Sequence, residues 1–198
     1  MIPRLWAITD PALGDDELVR RAAIAAAIAK GALCIHLRDK ARGADALAPI
    51  AARLRAATRA HGAWLAIGDH PALADAVDAD VAHGWAGRAA RGTWSVPAHS
   101  DDDVRRALAA RADVVLVSPI FATPGKGAPR GAGAISSARA LAPGLRVYAL
   151  GGIDATNARA CVAAGAHGVA VIRALLGADD VAVATRALLD ALRAGDRA

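Results

Sequence analysis

Short apolar segments alternate along this chain with longer helical segments, and this alternation is the strongest constraint on its fold. A run such as Val114–Val117 is too short for a helix and too apolar for a sheet face that meets water, so it predicts a buried parallel strand. Segments such as Asp15–Lys30 are rich in Ala, Leu and Ile, with acids at the start and a Lys-Gly stop, which predicts helices. The pattern indicates parallel β-α-β units.

Eight strands are predicted, at Leu5–Thr9, Leu33–Leu37, Trp64–Ile67, Asp80–Ala82, Thr93–Val96, Val114–Val117, Arg146–Leu150 and Gly168–Ile172. Helices are predicted at Asp15–Lys30, Asp45–His61, Pro71–Val77, Asp101–Arg111, Ala134–Leu141, Ala155–Ala164 and Asp179–Arg193. Eight strands favour a closed (β/α)8 TIM barrel of the α/β class over an open doubly wound sheet, which stays the alternative. Because no linker divides residues 1–198, we expect one domain.

Composition and charge restrict the partners of the chain. Its net charge is +5, but the Arg residues never form a run of five or more and aromatic residues make up only 3%, so nucleic acid is not expected. Cys34 and Cys161 lack metal-ligand spacing, and residues 1–10 lack the apolar core of a signal peptide. No apolar run reaches the ~18 residues of a membrane span. We therefore expect a cytoplasmic protein with reduced thiols and small phosphorylated substrates.

A loop built to hold an anion follows the sixth strand. Within Asp113–Gly127, two prolines prevent regular hydrogen bonding and two glycines free the backbone, while Thr123 and Lys126 supply a hydroxyl and a cation. In a barrel this loop meets the other post-strand residues at one mouth.

The loops after strands seven and eight predict a phosphate site at that mouth. Gly151 and Gly152 follow one strand, and Ile172 and Arg173 end the other. Glycines let backbone N–H groups approach an anion, although a tight turn alone also explains the pair. Four cations would surround the mouth, namely Arg38, Lys40, Lys126 and Arg173. Any one of them alone is more simply a solvated surface charge.

Three other polar residues follow strands and have open roles. His99 lies after strand five and suits either proton transfer or helix capping. His83 ends strand four, where packing is the favoured interpretation. Asp69 is the one carboxylate placed to bind a metal such as Mg²⁺, though an Asp in this Gly-Asp-His-Pro segment is also a common turn former.

Several motifs resemble, in order and spacing, the thiamine-phosphate synthase and TenI-like superfamily over nearly the whole chain. They are IHLRDK at 35–40, IGDHPALA at 67–74, ADVAHGW at 79–85, AHS at 98–100, SPIFATPGKG at 118–127, ALGGI at 149–153 and AGAHGVAVIRAL at 164–175. The resemblance implies a thiamine-biosynthesis transferase that joins hydroxymethylpyrimidine diphosphate to thiazole phosphate and releases pyrophosphate. Such chemistry depends on electrostatic stabilisation and Mg²⁺.

Residue roles follow from the resemblance by position. Arg38 and Lys40 correspond to the diphosphate-binding pair, and Asp69 corresponds to a metal ligand. Thr123 and Lys126 correspond to the loop that contacts thiazole phosphate and pyrophosphate. Gly152 and Ile172 correspond to the backbone phosphate site.

Five positions depart from the synthase pattern. His36 replaces a Gln, Gly68 an Asn, Arg88 the second metal-binding Asp, Pro97 a Ser that contacts pyrophosphate, and Arg173 a phosphate-binding Ser. The loss of a carboxylate should weaken Mg²⁺ binding, unless Arg88 neutralises pyrophosphate directly.

Two other functions follow from these departures. His36 and His99 resemble the TenI-like branch, which includes a thiazole tautomerase that moves a proton and needs a base rather than a metal. A barrel that only binds thiazole phosphate or thiamine phosphate is the non-enzymatic alternative. A homo-oligomer is also left open.

Overall fold

The computed structural model describes residues 1–195 and has eight parallel strands in a closed barrel. The strands are β1 (Leu5–Ile8), β2 (Leu33–Leu37), β3 (Trp64–Gly68), β4 (Val81–His83), β5 (Thr93–Ala98), β6 (Val114–Val117), β7 (Arg146–Leu150) and β8 (Gly168–Val171). Each strand pairs with the next along the chain, and β1 pairs with β8 in the register Leu5 to Val169, which closes the barrel. The predicted TIM barrel is confirmed.

Seven α-helices surround the barrel within the described residues. They are α1 (Asp15–Ala29), α2 (Ala44–Arg59), α3 (Pro71–Ala76), α4 (Asp101–Ala109), α5 (Gly133–Leu141), α6 (Ala158–Ala163) and α7 (Val181–Gly195). The connection from β4 to β5 has no helix; there Trp85 and Trp94 pack edge to face with ring centroids 6.2 Å apart. The guanidinium of Arg106 lies over the Trp85 ring, 4.0 Å from its centroid.

The strands bury side chains on both faces. Residues such as Leu5 and Ile35 pack outward against the Ala-rich helices, where small side chains let helices approach the sheet. Trp6 and Tyr148 fill the interior near the N-terminal end of the barrel, and both donate hydrogen bonds to the carbonyl oxygen of Pro3, at 3.0 and 2.6 Å. This end is therefore packed, and open space is left at the C-terminal end.

Some predicted boundaries were wrong in ways that affect the site. β5 continues to Ala98, so Pro97 lies within a strand. Helix α6 begins at Ala158 rather than Ala155, because the Asp154 carboxylate accepts hydrogen bonds from the backbone N–H and the hydroxyl of Thr156 and forms a turn instead. Among the helices of residues 1–195, none has both the length and the hydropathy needed to cross a membrane.

Candidate active site

Two adjoining cavities open at the C-terminal ends of the strands. The larger has a volume of ≈ 260 Å³, and the smaller, over the β7 and β8 loops, ≈ 230 Å³. The larger is lined by the predicted residues His36, Arg38, Lys40, Asp69, His99, Thr123, Lys126, Gly151 and Ile172. The smaller is lined by Gly152 and Arg173, and it shares Thr123, Leu150, Gly151 and Ile172 with the larger. The barrel thus brings the site residues predicted from the sequence to one mouth, with the exception of Arg88.

The floor of the larger cavity, formed by His36, His83 and Leu116, is buried and carries no resident charge. The ring centroids of the two histidines lie 4.6 Å apart, and His83 Nδ1 is 2.7 Å from Ser95 Oγ. Neither ring nitrogen of His36 has a hydrogen-bond partner in residues 1–195. Burial, with Arg38 nearby, lowers the pKa of His83 to about 3; burial, with His83 and Arg38, holds the pKa of His36 well below its usual range. Both imidazoles are neutral at pH 7.

The rim of the mouth, in contrast, is cationic. The four rim cations are Arg38, Lys40, Lys126 and Arg173. None of them forms an ion pair with an acidic residue in the part of the chain that the structure describes. A ring of unneutralised cations attracts anions, and cations that converge on one cavity favour a ligand with more than one negative group.

Hydrogen bonds from two neighbouring elements hold the β2 side of the rim. The hydroxyl of Thr9, just past β1, donates to the carbonyl oxygen of Arg38 at 3.2 Å and accepts from its backbone N–H at 2.9 Å. Asp39 turns toward Arg42, whose guanidinium bridges Asp39 and Asp15. Asp39, which lies between two rim cations, is therefore neutralised by Arg42, and its pKa is lowered by the Ala41 backbone N–H and by Arg42.

The loop after β6 crosses the β7 loop at the two glycines. The backbone N–H of Phe121 donates to the carbonyl oxygen of Gly151 at 2.9 Å. A Cβ atom on Gly152 would come within 2.6 Å of the carbonyl oxygen of Ala122, and its φ is +63°. The glycines are thus required for packing between these loops, in addition to any role with a ligand. Helix α6 has 6 residues and starts at Ala158, so a helix terminus adds little to a phosphate site here.

Asp69 offers one carboxylate at the mouth. It has a left-handed backbone (φ 60°), and its side chain has no hydrogen bond or ion pair among the described residues. Residues 1–195 contain no cluster of three or more His, Cys, Asp or Glu residues able to hold a metal ion. One carboxylate is nonetheless the kind of protein ligand Mg²⁺ uses when substrate phosphates supply other oxygens.

His99 is exposed at the edge of the larger cavity, beside Ser118. Its Nδ1 atom lies 3.2 Å from the Ser118 hydroxyl and 3.3 Å from the Ser118 carbonyl oxygen. Its backbone N–H donates to Asp103, which also caps α4 with Ser100. The capping therefore involves the His99 backbone, and the imidazole is available to the cavity.

Arg88 turns away from the mouth. Its guanidinium donates to the carbonyl oxygen of Arg111 at 2.7 Å and to the Asp113 carboxylate at 3.2 Å, and it lies 5.4 Å from the Trp94 ring centroid. All three partners lie outside both cavities. The suggestion that Arg88 neutralises pyrophosphate directly is therefore not supported by this geometry.

Two residues that contribute to the site, Thr9 and Ser118, were not predicted from the sequence, and a third, His83, has a role beyond the predicted one. Thr9 was predicted as the last residue of the first strand, whereas β1 ends at Ile8 and Thr9 begins the polar segment that follows it. Ser118 was overlooked although it opens the SPIFATPGKG motif. His83, interpreted as packing, is buried as expected but also lines the cavity floor.

Comparison with known proteins agrees with this architecture. The family described as thiamine monophosphate synthase matches residues 5–175. Thiamine-phosphate synthase from Chromobacterium violaceum is 39% identical, with 93% of each chain covered, and that from Chloroflexus aurantiacus is 35% identical, with 93% of this chain and 90% of that protein covered. The structure of thiamine phosphate pyrophosphorylase from Pyrococcus furiosus superposes with a TM-score of 0.83 at 27% identity, covering 97% of this chain and 96% of that chain. The chain therefore belongs to the thiamine monophosphate synthase family, as the motifs in its sequence predicted.

Proposed function

We propose that this protein is a thiamine-phosphate synthase, which joins hydroxymethylpyrimidine diphosphate to thiazole phosphate and releases pyrophosphate. The observation that carries the proposal is the combination, at one mouth, of an uncharged buried floor and four cations that have no acidic partner within residues 1–195. A substrate made of a neutral heteroaromatic ring and a diphosphate matches these two environments.

The floor would receive the pyrimidine ring. His36 is neutral, buried and without a hydrogen-bond partner in the described residues, so a ring with its own donors and acceptors would pair with one of its two ring nitrogens. The Gln that the family usually has at this position also offers one donor group and one acceptor group. A neutral imidazole can therefore take the same role.

The rim would stabilise the departing pyrophosphate. In the reaction, the bond between the pyrimidine methylene carbon and the diphosphate oxygen breaks, and the diphosphate keeps the electron pair. The thiazole nitrogen then forms a bond to that carbon. Arg38, Lys40 and Lys126 line the larger cavity, where they would stabilise the negative charge that develops on the leaving group. The Thr123 hydroxyl, which donates to the carbonyl oxygen of Phe121 at 3.0 Å, would redirect that hydrogen bond to a bound phosphate group.

The thiazole phosphate would bind in the smaller cavity, against Gly151, Gly152, Ile172 and Arg173. Asp69 is the residue that would hold Mg²⁺, together with diphosphate oxygens. When bound, the ion supplies charge neutralisation of the diphosphate. Asp69 is the one carboxylate among the residues that line the larger cavity, so we propose that the rim cations supply a larger part of that neutralisation than they would in a site with two carboxylate ligands.

The test is direct synthesis. Purified protein is incubated with both substrates and Mg²⁺, and thiamine phosphate and pyrophosphate are measured together, with single-substrate reactions as controls. We expect equal amounts of the two products, formed only when both substrates are present. No thiamine phosphate at saturating substrate would overturn the proposal.

A second candidate activity rests on His99. Its imidazole lines the larger cavity with Nδ1 next to Ser118, an arrangement that suits proton transfer. A thiazole tautomerase would remove a proton from one ring position of a thiazole carboxylate phosphate and return a proton at another. Deuterium exchange into that compound, compared between the wild type and His99→Ala, tests this activity. Equal rates would eliminate it, and tight binding of thiazole phosphate with neither activity would identify a binding protein.

A further inference from the structure

Arg130 connects the loop of Thr123 and Lys126 to a neighbouring helix through one carboxylate. Its Nη2 atom donates to Asp101 Oδ1 at 2.7 Å, and the other oxygen of Asp101 accepts from the Ser137 hydroxyl at 2.8 Å. Asp101 is the first residue of α4, and Ser137 lies in α5. A single carboxylate thus joins the end of the loop to two helices.

Backbone hydrogen bonds close the loop at the same place. The N–H groups of Arg130 and Gly131 donate to the carbonyl oxygens of Pro119 and Ile120, at 2.8 and 3.0 Å. Between these points, residues 122–129 are mostly exposed, and their hydrogen bonds within the described part of the chain reach no further than Phe121. Apart from the backbone hydrogen bonds at its two ends, this segment is therefore connected to α4 and α5, within the described residues, through the ion pair between the Arg130 side chain and Asp101.

The link is partly shielded and lies close to the site. The Arg130 side chain is 18% exposed and the Asp101 side chain is 41% exposed, so salt screens this pair less than it screens fully exposed pairs. In the sequence, Asp101 comes shortly after His99, and Arg130 comes shortly after Lys126. The ion pair therefore connects the Lys126 loop to the segment that follows β5 at the edge of the mouth.

We propose that Arg130 is a positioning residue, whose ion pair with Asp101 holds the loop so that Thr123 and Lys126 meet a diphosphate at the rim. This inference rests on the proposed function of that loop. Without the pair, the loop samples more conformations, and a bound diphosphate must then overcome the entropy of ordering it. The effect falls on affinity for the diphosphate group.

Calorimetric titration of inorganic pyrophosphate tests this effect without requiring turnover. We expect Arg130→Met to raise the Kd about fivefold, the modest size expected of a partly exposed pair, and Arg130→Lys to restore most of the affinity. The control is Arg105→Met, which removes an ion pair with Asp102 on the exposed face of α4 and should leave the Kd unchanged. An unchanged Kd in Arg130→Met, or the same rise in the control, would overturn the inference.

The same titration separates this inference from the proposed function. Wild-type protein that binds pyrophosphate but forms no thiamine phosphate would end the synthase proposal and leave the Arg130 comparison valid. Wild-type protein that binds no pyrophosphate would end both, since the loop would then have no anion to meet.

Cleavage by endoproteinase Lys-C measures the loop position independently of any ligand. The chain has three lysines, Lys30, Lys40 and Lys126, and Lys126 is exposed in the loop. We expect Arg130→Met to accelerate cleavage after Lys126 about fivefold, with unchanged rates after Lys30 and Lys40. General destabilisation would accelerate all three cleavages, and that result, or an unchanged rate at Lys126, would contradict a local positioning role.

Discussion

The floor and the rim of this barrel mouth lie a few residues apart in sequence but present opposite environments to a ligand. His36, at the end of β2, is fully buried and neutral, whereas Arg38 and Lys40 in the following loop are charged and reach the cavity opening. Strand β2 holds His36 in the barrel interior, and the loop after it places Arg38 and Lys40 at the cavity opening. Ligand recognition at the floor should therefore depend on shape and hydrogen bonding, and at the rim on charge.

The rim should have the largest effect on catalysis. Lys126→Ala is expected to lower kcat/KM for thiamine phosphate formation at least about 100-fold, because removal of one group that stabilises transition-state charge typically has this effect. Arg186→Ala is the matched control, since Arg186 is an exposed cation of α7 without an ion pair among the described residues, and it should stay within about twofold of wild type. Equal losses in both variants would mean that net charge, and not the rim, matters.

The floor should control how stability depends on pH. The pKa values of His36 and His83 are lowered in the folded protein, so below about pH 6.5 the unfolded chain binds more protons than the folded protein does. The free energy of unfolding therefore decreases as the pH is lowered. From pH 8 to pH 5 His83, with a pKa of about 3, should remove about 2 kcal/mol from the free energy of unfolding, and His36 should lower it further in the same direction. Urea denaturation should give a correspondingly smaller loss in His36→Gln. An identical pH dependence in both proteins would show that His36 is not a buried neutral group.

Substrate affinity should distinguish the floor from a merely apolar surface. We expect His36→Leu to raise KM for hydroxymethylpyrimidine diphosphate about tenfold, since a lost buried hydrogen bond to the ring is worth roughly 1 to 1.5 kcal/mol. His36→Gln, which keeps a donor and an acceptor, should stay close to wild type. Steady-state kinetics with saturating thiazole phosphate would reveal the difference, and similar KM values in the two variants would remove the hydrogen-bonding role.

A change in ionic strength should have the smallest effect on ligand binding, and it should distinguish the charged rim from the uncharged floor. Raising it from about 0.02 M to 0.3 M should weaken binding of pyrophosphate about fivefold without added metal, because screening acts on the exposed cations of the rim. Binding of uncharged hydroxymethylpyrimidine should change less than twofold. Calorimetry on both ligands checks this, and parallel salt dependence would contradict the division into floor and rim.

The sequence predicted the mouth better than the orientation of individual side chains. Because the ends of parallel strands meet at one edge of a barrel, post-strand residues such as Asp69 and Lys126 could be grouped without coordinates. Arg88 could not be oriented in this way, since it lies in a connection without a helix and turns toward Asp113. The hydrogen bonds of Thr9 and Arg130 join residues 29 positions apart, a separation that no local pattern encodes.

The contacts of His36 and His83 were also beyond the sequence. His36 lies in a predicted strand and His83 directly follows one, so their burial could be expected. Their contact with each other depends on the register of strands β2, β3 and β4. Register is set by packing of the whole barrel and does not appear in any one strand.

A crystal structure with thiamine phosphate and pyrophosphate bound tests the account most directly. We predict the pyrimidine ring within hydrogen-bond distance of His36, pyrophosphate in contact with Arg38, Lys40 and Lys126, and the thiamine phosphate group against Gly152 and Arg173. A pyrimidine ring away from His36, with pyrophosphate that contacts none of these three cations, would contradict it.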